Sequence, residues 1–246
     1  MNATLISTVA LLGLFSGSLT GGPPADPSTD GTNPLRITRS VMPIFPLALR
    51  QEGISRGEVT IVYSVDAEGR LEDVMPVAYT HRDFYDASLL AMKRWSFEPA
   101  RNLGRAHPAI QFVTFSFEAG SEVVDMTAAD ALRAEMNPMR SSKNEYRIER
   151  LADLDSIPAP ASIVSPGYPE SLVGSGLEGD VTIEFYIDET GRVRMPALVE
   201  HTNLEFAAAA VDAVSRWTFE PPMRDGRPVT VLVRQRFHFN PPDEAG

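Results

Sequence analysis

The length, composition and charge of the chain exclude several classes of protein. Its 246 residues, 43% of them hydrophobic and 22% charged, suffice for one large globular domain or two of ordinary size. The absence of cysteine excludes disulfide scaffolds, thiol nucleophiles and cysteine-ligated metal sites. A formal net charge of −11 argues against binding to nucleic acid, because such binding depends on Lys and Arg that neutralise phosphates. No nucleic acid partner is therefore expected.

The first 35 residues have no pattern of a globular domain. Residues 5–15 are mostly apolar, too short a stretch for a membrane span of about 20 residues but typical of the apolar core of a secretory signal. We predict that residues 1–20 are a signal peptide, with a retained short anchor as the alternative. Residues 21–35 are rich in Gly and Pro and have almost no apolar side chains, which predicts a flexible linker.

The rest of the chain contains a repeat with a constant offset of 122 residues. Gly57-Glu-Val-Thr-Ile returns as Gly179-Asp-Val-Thr-Ile, and Arg94-Trp-Ser-Phe-Glu-Pro returns as Arg216-Trp-Thr-Phe-Glu-Pro. A period of this length is typical of a duplicated domain, since the units of solenoid proteins have about 20 to 50 residues. The sequence therefore predicts two tandem copies of one small domain.

Both copies have the same predicted order of elements. Alternating apolar residues from Val59 and from Val181 predict a first strand, and the Asp-x-x-Gly that follows predicts a tight turn into a second strand. A helical period begins at Phe84 and at Phe206 and extends to a tryptophan, and a third alternating segment ends each copy. The fold class is α+β: each copy is a three-stranded antiparallel sheet with the first strand in the centre, a helix packed on one face and a short preceding helix. The predicted structural core consists of Trp95, Trp217, Phe84, Phe206, Phe97 and Phe219.

These patterns predict the domain boundaries. The first domain covers residues 36–120, the connector residues 121–155, the second domain residues 156–241 and a tail residues 242–246. The connector is expected to contain one helix over residues 127–136, with Thr127 as its N-cap, and a strand near residues 146–151.

No set of residues predicts catalysis, a cofactor or a metal. Gly174-Ser-Gly-Leu-Glu-Gly has the spacing of a dinucleotide-binding motif, but the predicted strand follows it instead of preceding it. The four histidines lack the spacing of metal ligands. Asp66 and Asp188 lie at predicted turns, so we assign them to turn stabilisation and not to acid–base chemistry. The chain is predicted to be no enzyme and to have no catalytic, cofactor-binding or metal-binding residues.

The ordered motifs resemble the C-terminal domain of the TonB family of energy transducers of Gram-negative bacteria. The pattern of that family has Tyr-Pro before a short helix, a Gly-x-Val-x-Val/Ile strand, a turn ending in Gly-Arg-Val, and a helix leading into Trp-x-Phe/Tyr-x-Pro. The second copy supplies Tyr168-Pro, Gly179-Asp-Val-Thr-Ile, Gly191-Arg-Val and Trp217-Thr-Phe-Glu-Pro, and the first supplies Phe45-Pro, Gly57-Glu-Val-Thr-Ile, Gly69-Arg-Leu and Trp95-Ser-Phe-Glu-Pro. The second copy matches the pattern more closely.

The resemblance implies a non-enzymatic periplasmic protein that acts in TonB-dependent transmembrane transport. It would bind peptide segments of outer-membrane proteins by adding them as a strand to an exposed sheet edge. The implied partners are an outer-membrane transporter or another cell-envelope protein, an inner-membrane motor complex, and a second copy of the chain paired through sheet edges. Because the first strand is central, the last strand of the second copy is the expected partner-binding edge, with Thr230 and Arg234 pointing outward. Its residues are Val229, Thr230, Val231, Leu232, Val233, Arg234, Gln235, Arg236 and Phe237.

A second interpretation remains open. Full-length transducers of this family have a polar His in the anchor and a long spacer, whereas residues 5–15 contain no His and residues 21–34, fully extended, reach only about 40 Å. The alternative function is a periplasmic interaction scaffold with TonB-like domains that are not coupled to a proton-motive motor. Anchoring in the inner membrane by the N-terminal segment is the alternative localisation.

Overall fold

A computed structural model describes residues 3–6, 32–119 and 145–242. The chain divides into two units, Met1–Arg147 and Ile148–Gly246, and each combines helices with a mainly antiparallel sheet, which confirms the predicted α+β class. The border between the units falls inside the predicted connector. The predicted connector helix over residues 127–136, and most of the predicted signal peptide and linker, lie outside the described residues.

The main sheet of the first unit is built around its longest hairpin. The strands of this unit are β1 (Ala3–Ile6), β2 (Thr32–Asn33), β3 (Arg36–Arg39), β4 (Arg56–Val65), β5 (Leu71–Tyr79), β6 (Ser96–Glu98), β7 (Ala100–Asn102), β8 (Arg105–His107), β9 (Ala109–Glu118) and β10 (Tyr146–Arg147), and its helices are α1 (Leu47–Gln51) and α2 (Arg82–Met92). The central strand is β4, which pairs antiparallel with β5 on one side and β9 on the other. Two short strands extend this sheet: β1 pairs with the outer edge of β9, and β10 with that of β5. The helix α2 packs on one face of the sheet.

The second unit has the same order of strand, strand, helix and strand. Its strands are β11 (Glu149–Arg150), β12 (Pro160–Ser162), β13 (Gly179–Ile187), β14 (Val193–His201), β15 (Thr218–Phe219), β16 (Met223–Arg224), β17 (Arg227–Pro228) and β18 (Val231–Phe239), its α-helix is α3 (Leu204–Ser215), and its 3₁₀ turns are Leu151–Asp153 and Glu170–Leu172. The central strand β13 lies between β14 and β18, and β11 lies parallel to the outer edge of β18. The helix α3 packs on one face, over a buried cluster that includes Ile183 and Phe185.

In each unit a phenylalanine ring of the helix lies against a glycine of the central strand. Phe206 of α3 is fully buried, and a Cβ added to Gly179 would lie 2.6 Å from its ring and would also meet the Thr202 hydroxyl. In the first unit, a Cβ on Gly57 would overlap the ring of the fully buried Phe84. Glycine is therefore required at the start of both central strands, because any side chain would push the helix off the sheet.

Both tryptophans follow their helices instead of lying on them, which corrects the predicted helical period. The helix α2 ends at Met92 and α3 ends at Ser215, and in each unit a turn then brings the indole under the last helical turn. Trp95 is 7% exposed and Trp217 is 8% exposed, so both side chains are buried. The helices themselves are shorter than the helical period of the sequence indicates.

The indole nitrogens tie the segment before each sheet to the core. The Trp95 Nε1 donates to the carbonyl of Val41 at 2.9 Å, and the Trp217 Nε1 donates to that of Val164 at 2.8 Å. This contact satisfies the one polar group of an otherwise apolar side chain. The half-buried rings beside the indoles are those of Phe97 and Phe219.

The turn between the first two strands has the same chemistry in both units. A carboxylate oxygen of Asp66 accepts the backbone N–H of Arg70 at 2.8 Å, and Asp188 does the same for Arg192 at 3.0 Å. The N–H of Arg70 contributes most to lowering the pKa of Asp66 below its ordinary value. Gly69 and Gly191 both have φ of +82°, a conformation that disfavours side chains, so the predicted roles of aspartate and glycine in these turns are confirmed.

The short helices before the sheets differ from the prediction. The first unit has the α-helix α1, whereas the second has only the 3₁₀ turn Glu170–Leu172. Pro46 and Pro169 lie at the N-cap of these two segments. Proline suits this position because it donates no hydrogen bond and the first N–H groups of a helix have no partner within it. Among the described residues no helix is long and apolar enough to cross a membrane.

We predict that Gly179→Ala lowers the free energy of unfolding of the second unit by about 1–3 kcal/mol, because the added methyl group overpacks the contact with Phe206. The matched control is Gly167→Ala, where an added Cβ meets nothing within 4 Å. Urea denaturation of the full chain, followed by fluorescence of Trp217 in a Trp95→Phe background, measures both. Equal stabilities of the two variants would contradict the packing argument.

Candidate partner-binding edge

The strand β18 lies at one side of the main sheet in the second unit. It pairs antiparallel with β13 along its whole length, from Val231 opposite Ile187 to Phe239 opposite Gly179. The sequence placed the binding edge at residues 229–237, so the strand begins and ends two residues later than that segment.

Two residues of the predicted edge precede the strand. The N–H of Val229 donates to the carbonyl of Pro222 at 2.8 Å. Thr230 is only 4% exposed, so the expectation that its side chain points outward is wrong. The reason is that β11 covers this end of the edge: the N–H of Glu149 donates to the carbonyl of Thr230 at 2.9 Å.

The outer side of β18 is covered only at its beginning. The two residues of β11 pair with Val231 and Leu232, and Glu149 is held there by an ion pair with Arg224. Beyond Leu232, no strand within residues 3–6, 32–119 and 145–242 pairs with this side, which leaves the open edge, residues 233–239. A strand edge of this kind presents a row of backbone N–H and C=O groups to a further strand.

The direction of the backbone groups follows from the contact with β11. Successive residues of a strand point their N–H and C=O groups to opposite sides. The carbonyl of Thr230 points to β11, so the backbone groups of Arg234, Arg236 and His238 also point away from β13. Those of the intervening residues point to β13. The open edge therefore offers backbone donors and acceptors at Arg234, Arg236 and His238.

The side chains of these three residues lie on the sheet face opposite to the helix and contact carboxylates of β13. The Arg234 guanidinium is 2.8 Å from the Glu184 carboxylate, and the Arg236 guanidinium is 3.0 Å from that of Asp180. The His238 Nδ1 is also 3.0 Å from Asp180. Hydrogen bonds from Arg236 and then from His238 lower the pKa of Asp180 below its ordinary value, against the opposing effect of burial.

The helix-side face of the open edge is apolar. Val233 and Phe237 are half-buried beside the core, and the Phe237 ring centroid is 5.6 Å from that of Trp217. Side chains on one face of a sheet contact those of the neighbouring strand. A strand added to this edge would meet an apolar surface on the helix side and a charged one on the opposite side.

The corresponding edge of the first unit carries an added strand. β9 has the same place beside β4 that β18 has beside β13. The short strand β1 pairs antiparallel with residues 114–117 of β9, with Ala3 opposite Phe117 and Ile6 opposite Thr114. At the repeat offset of 122, this stretch corresponds to residues 236–239 of the open edge.

His81 and the glycine-rich motif before β13 have structural roles. The ring of His81 caps α2 by accepting the N–H of Asp83 at 3.2 Å. The glycines at 174 and 176 have positive φ in the loop before β13, which is the loop geometry preferred from the sequence. Within the part of the chain that the structure describes, no group of three or more His, Asp or Glu residues could hold a metal ion.

Comparison with known families places a match on the second unit. Residues 164–241 match the family model described as Gram-negative bacterial TonB protein C-terminal. The match includes the central strand, the helix α3 and β18, so the predicted resemblance is confirmed for the second copy, while the first unit lies outside the match. No curated protein matches the chain.

Sequence reasoning missed the contact that limits the open edge. The sequence analysis predicts one strand near residues 146–151, but the chain forms two strands of two residues each, β10 in the first unit and β11 in the second. The ion pair between Glu149 and Arg224 holds β11 in place. The charges of these two residues could be read from the sequence, but charge alone does not predict which residues pair.

We predict that Asp180 titrates below its ordinary pKa and that Arg236→Gln raises its pKa, because the strongest hydrogen bond to the carboxylate is lost. A carboxyl group with a lowered pKa in the folded state stabilises the protein above its unfolded pKa, and this contribution disappears as the pH falls through the folded pKa. Carbon-13 NMR of the Asp180 carboxyl group in the full chain measures the shift. The same pKa in the wild type and in Arg236→Gln would show that the ion pair does not form.

Proposed function

We propose that this protein is a non-enzymatic periplasmic protein that acts in TonB-dependent transport and binds peptide segments of outer-membrane proteins by strand addition. The observation that carries the proposal is the open edge of β18, because it lies inside the segment that matches the TonB C-terminal family. The bound segment would lie along residues 233–239.

Backbone geometry supports strand addition at this place. The outward N–H and C=O groups of Arg234, Arg236 and His238 have no strand partner among the described residues, and a bound peptide would pair with them. The chain uses the same geometry for its own segments: β1 adds antiparallel to β9, and β11 adds parallel to β18. Binding of a peptide would therefore require no change in the sheet itself.

We also propose that the first unit is a second, divergent copy of the same domain. The two units share the central strand, the glycine under a phenylalanine ring and the aspartate and glycine of the first turn. They also share the tryptophan whose nitrogen donates to the preceding segment. These contacts occur at positions related by the repeat offset or within one residue of it, as expected if one ancestral domain was duplicated.

This duplication predicts that the fragments 32–119 and 148–242 each unfold with a cooperative transition of their own. Each contains a buried aromatic cluster around its own tryptophan, and domains of this size are often stable alone. Thermal denaturation followed by circular dichroism measures this. Absence of a cooperative transition in both fragments would contradict the proposal of two domains.

The alternative function, an interaction scaffold without motor coupling, is favoured by the N-terminal sequence. Residues 5–15 contain no His, and residues 21–34 extend to only about 40 Å at about 3.1 Å per residue. Both functions use the same edge, so binding does not distinguish them. Loss of ligand uptake through TonB-dependent transporters when the gene is deleted favours the transducer, and unchanged uptake favours the scaffold.

We expect Arg236→Pro to abolish binding to outer-membrane proteins while the fold remains intact. Proline removes an N–H that points outward and leaves the hydrogen bonds to β13 in place. The matched control is Thr114→Pro, at the corresponding position of β9. The measurement is capture of detergent-solubilised outer-membrane proteins by the full chain, with hydrogen exchange at individual amides.

Strand addition gives a specific pattern of hydrogen exchange. On binding, the amides of Arg234, Arg236 and His238 should become protected, while those of the intervening residues are protected already by β13. Capture that is equally strong with folded Arg236→Pro, or protection elsewhere only, would refute binding at this edge. Loss of capture in Thr114→Pro alone would place the site on the first unit.

A further inference from the structure

The strand that forms the open edge is basic although the chain is acidic. The chain has a formal net charge of −11, yet β18 contains Arg234, Arg236 and His238 and no carboxylate. All three lie on one face of the strand, at alternate positions. The two arginines would therefore be neighbours of those side chains of an added strand that lie on the same face of the sheet.

Within the described residues, the acidic partners of these arginines lie on the inner side. Glu184 and Asp180 belong to β13, and the arginine side chains remain 55% and 71% exposed while paired with them. A guanidinium group has five N–H donors, so one carboxylate does not saturate it. Both arginines can therefore pair with a second carboxylate from a strand on the outer side.

A second copy of β18 fits this edge poorly. In a sheet, residues directly opposite each other point their side chains to the same face. When two copies of β18 pair antiparallel, even-numbered residues of one copy therefore lie opposite even-numbered residues of the other. A register centred on Gln235 sets Arg234 opposite Arg236 on both sides of the centre. A register centred on Arg236 sets this residue against its counterpart in the other copy. Like charges directly opposite each other destabilise a sheet.

The first unit has no such charges on the corresponding edge. At the repeat offset, Leu232, Arg234, Arg236 and His238 correspond to Ile110, Phe112, Thr114 and Ser116. This edge accepts the uncharged strand β1. The two edges have the same place in their sheets but differ in charge, and charge would select between acidic and neutral strands.

We propose that the open edge of the second unit takes an extended peptide segment in which acidic residues alternate with apolar ones, and that its arginines keep a second copy of the chain away. This inference rests on the proposed function, since it specifies the strand that the edge binds. The acidic residues would lie beside Arg234 and Arg236, and the apolar ones beside Val233 and Phe237 on the helix side.

The test compares two end-capped peptides on the full chain, Glu-Val-Glu-Val-Glu-Val-Glu and Lys-Val-Lys-Val-Lys-Val-Lys, by isothermal titration calorimetry. Their length matches residues 233–239 of the open edge. At an ionic strength of about 0.15 M, charges farther apart than about 8 Å are largely screened, so local pairs decide the result. We expect the glutamate peptide to bind about tenfold more tightly, as two exposed ion pairs together provide.

The variant that isolates the arginines is Arg234→Gln combined with Arg236→Gln. It should bind both peptides with equal affinity, whereas the control Arg192→Gln combined with Arg216→Gln, which removes the same charge from exposed positions away from the edge, should keep the tenfold preference. Equal affinity of the wild type for both peptides, or a preference for the lysine peptide, would overturn the inference and leave strand addition standing.

Absence of binding of the glutamate peptide would also overturn the inference. The proposed function would then survive if outer-membrane proteins are still captured and Arg236→Pro abolishes the capture. It would fall as well if that capture is absent.

The second part of the proposal concerns self-association. Arg234→Thr combined with Arg236→Thr should self-associate in sedimentation equilibrium, with new protection of the amides at 234, 236 and 238, because threonine favours strands and carries no charge. The wild type should show no protection of these amides as its concentration rises. Such protection in the wild type, or a variant that shows no association, would overturn this part.

Discussion

The contact between a helix phenylalanine and a strand glycine fixes the helix on one face of the sheet and leaves the sheet edge exposed. Phe206 lies over Gly179 so closely that no side chain fits between them. This contact holds α3 on one face of the sheet, near the ends of β13 and β18. The helix covers a face and no edge, so the third strand remains accessible from its side. The candidate site is thus a consequence of where the helix packs and not of a pocket.

The elements with strong local patterns could be predicted from the sequence. These patterns are the alternation along β4 and β13 and the aspartate and glycine of each first turn, and they depend on residues close in sequence. Each pattern occurs twice, at the repeat offset. The central position of the first strand followed from the connection by a helix. Local patterns together with this connection are therefore enough to predict the class of domain and the strand that forms the edge.

The predictions that failed depended on contacts between distant residues. Thr230 appears outward if its strand is extended by alternation, but Glu149, far away in sequence, covers it. The tryptophans have the spacing of a helical face, yet the helices end before them and the indole nitrogens bind segments that are distant in sequence. Strands of two residues, such as β11, have no period from which they could be recognised.

The parallel strand β11 gives the open edge a fixed beginning. Since it occupies the places beside Val231 and Leu232, an incoming strand meets its backbone end-on and cannot slide towards the start of β18. A peptide that adds to this edge as proposed would therefore pair with residues 233–239 and would end where β11 begins. The length of strand left free by β11, and not only the side chains along it, then limits which segments can bind.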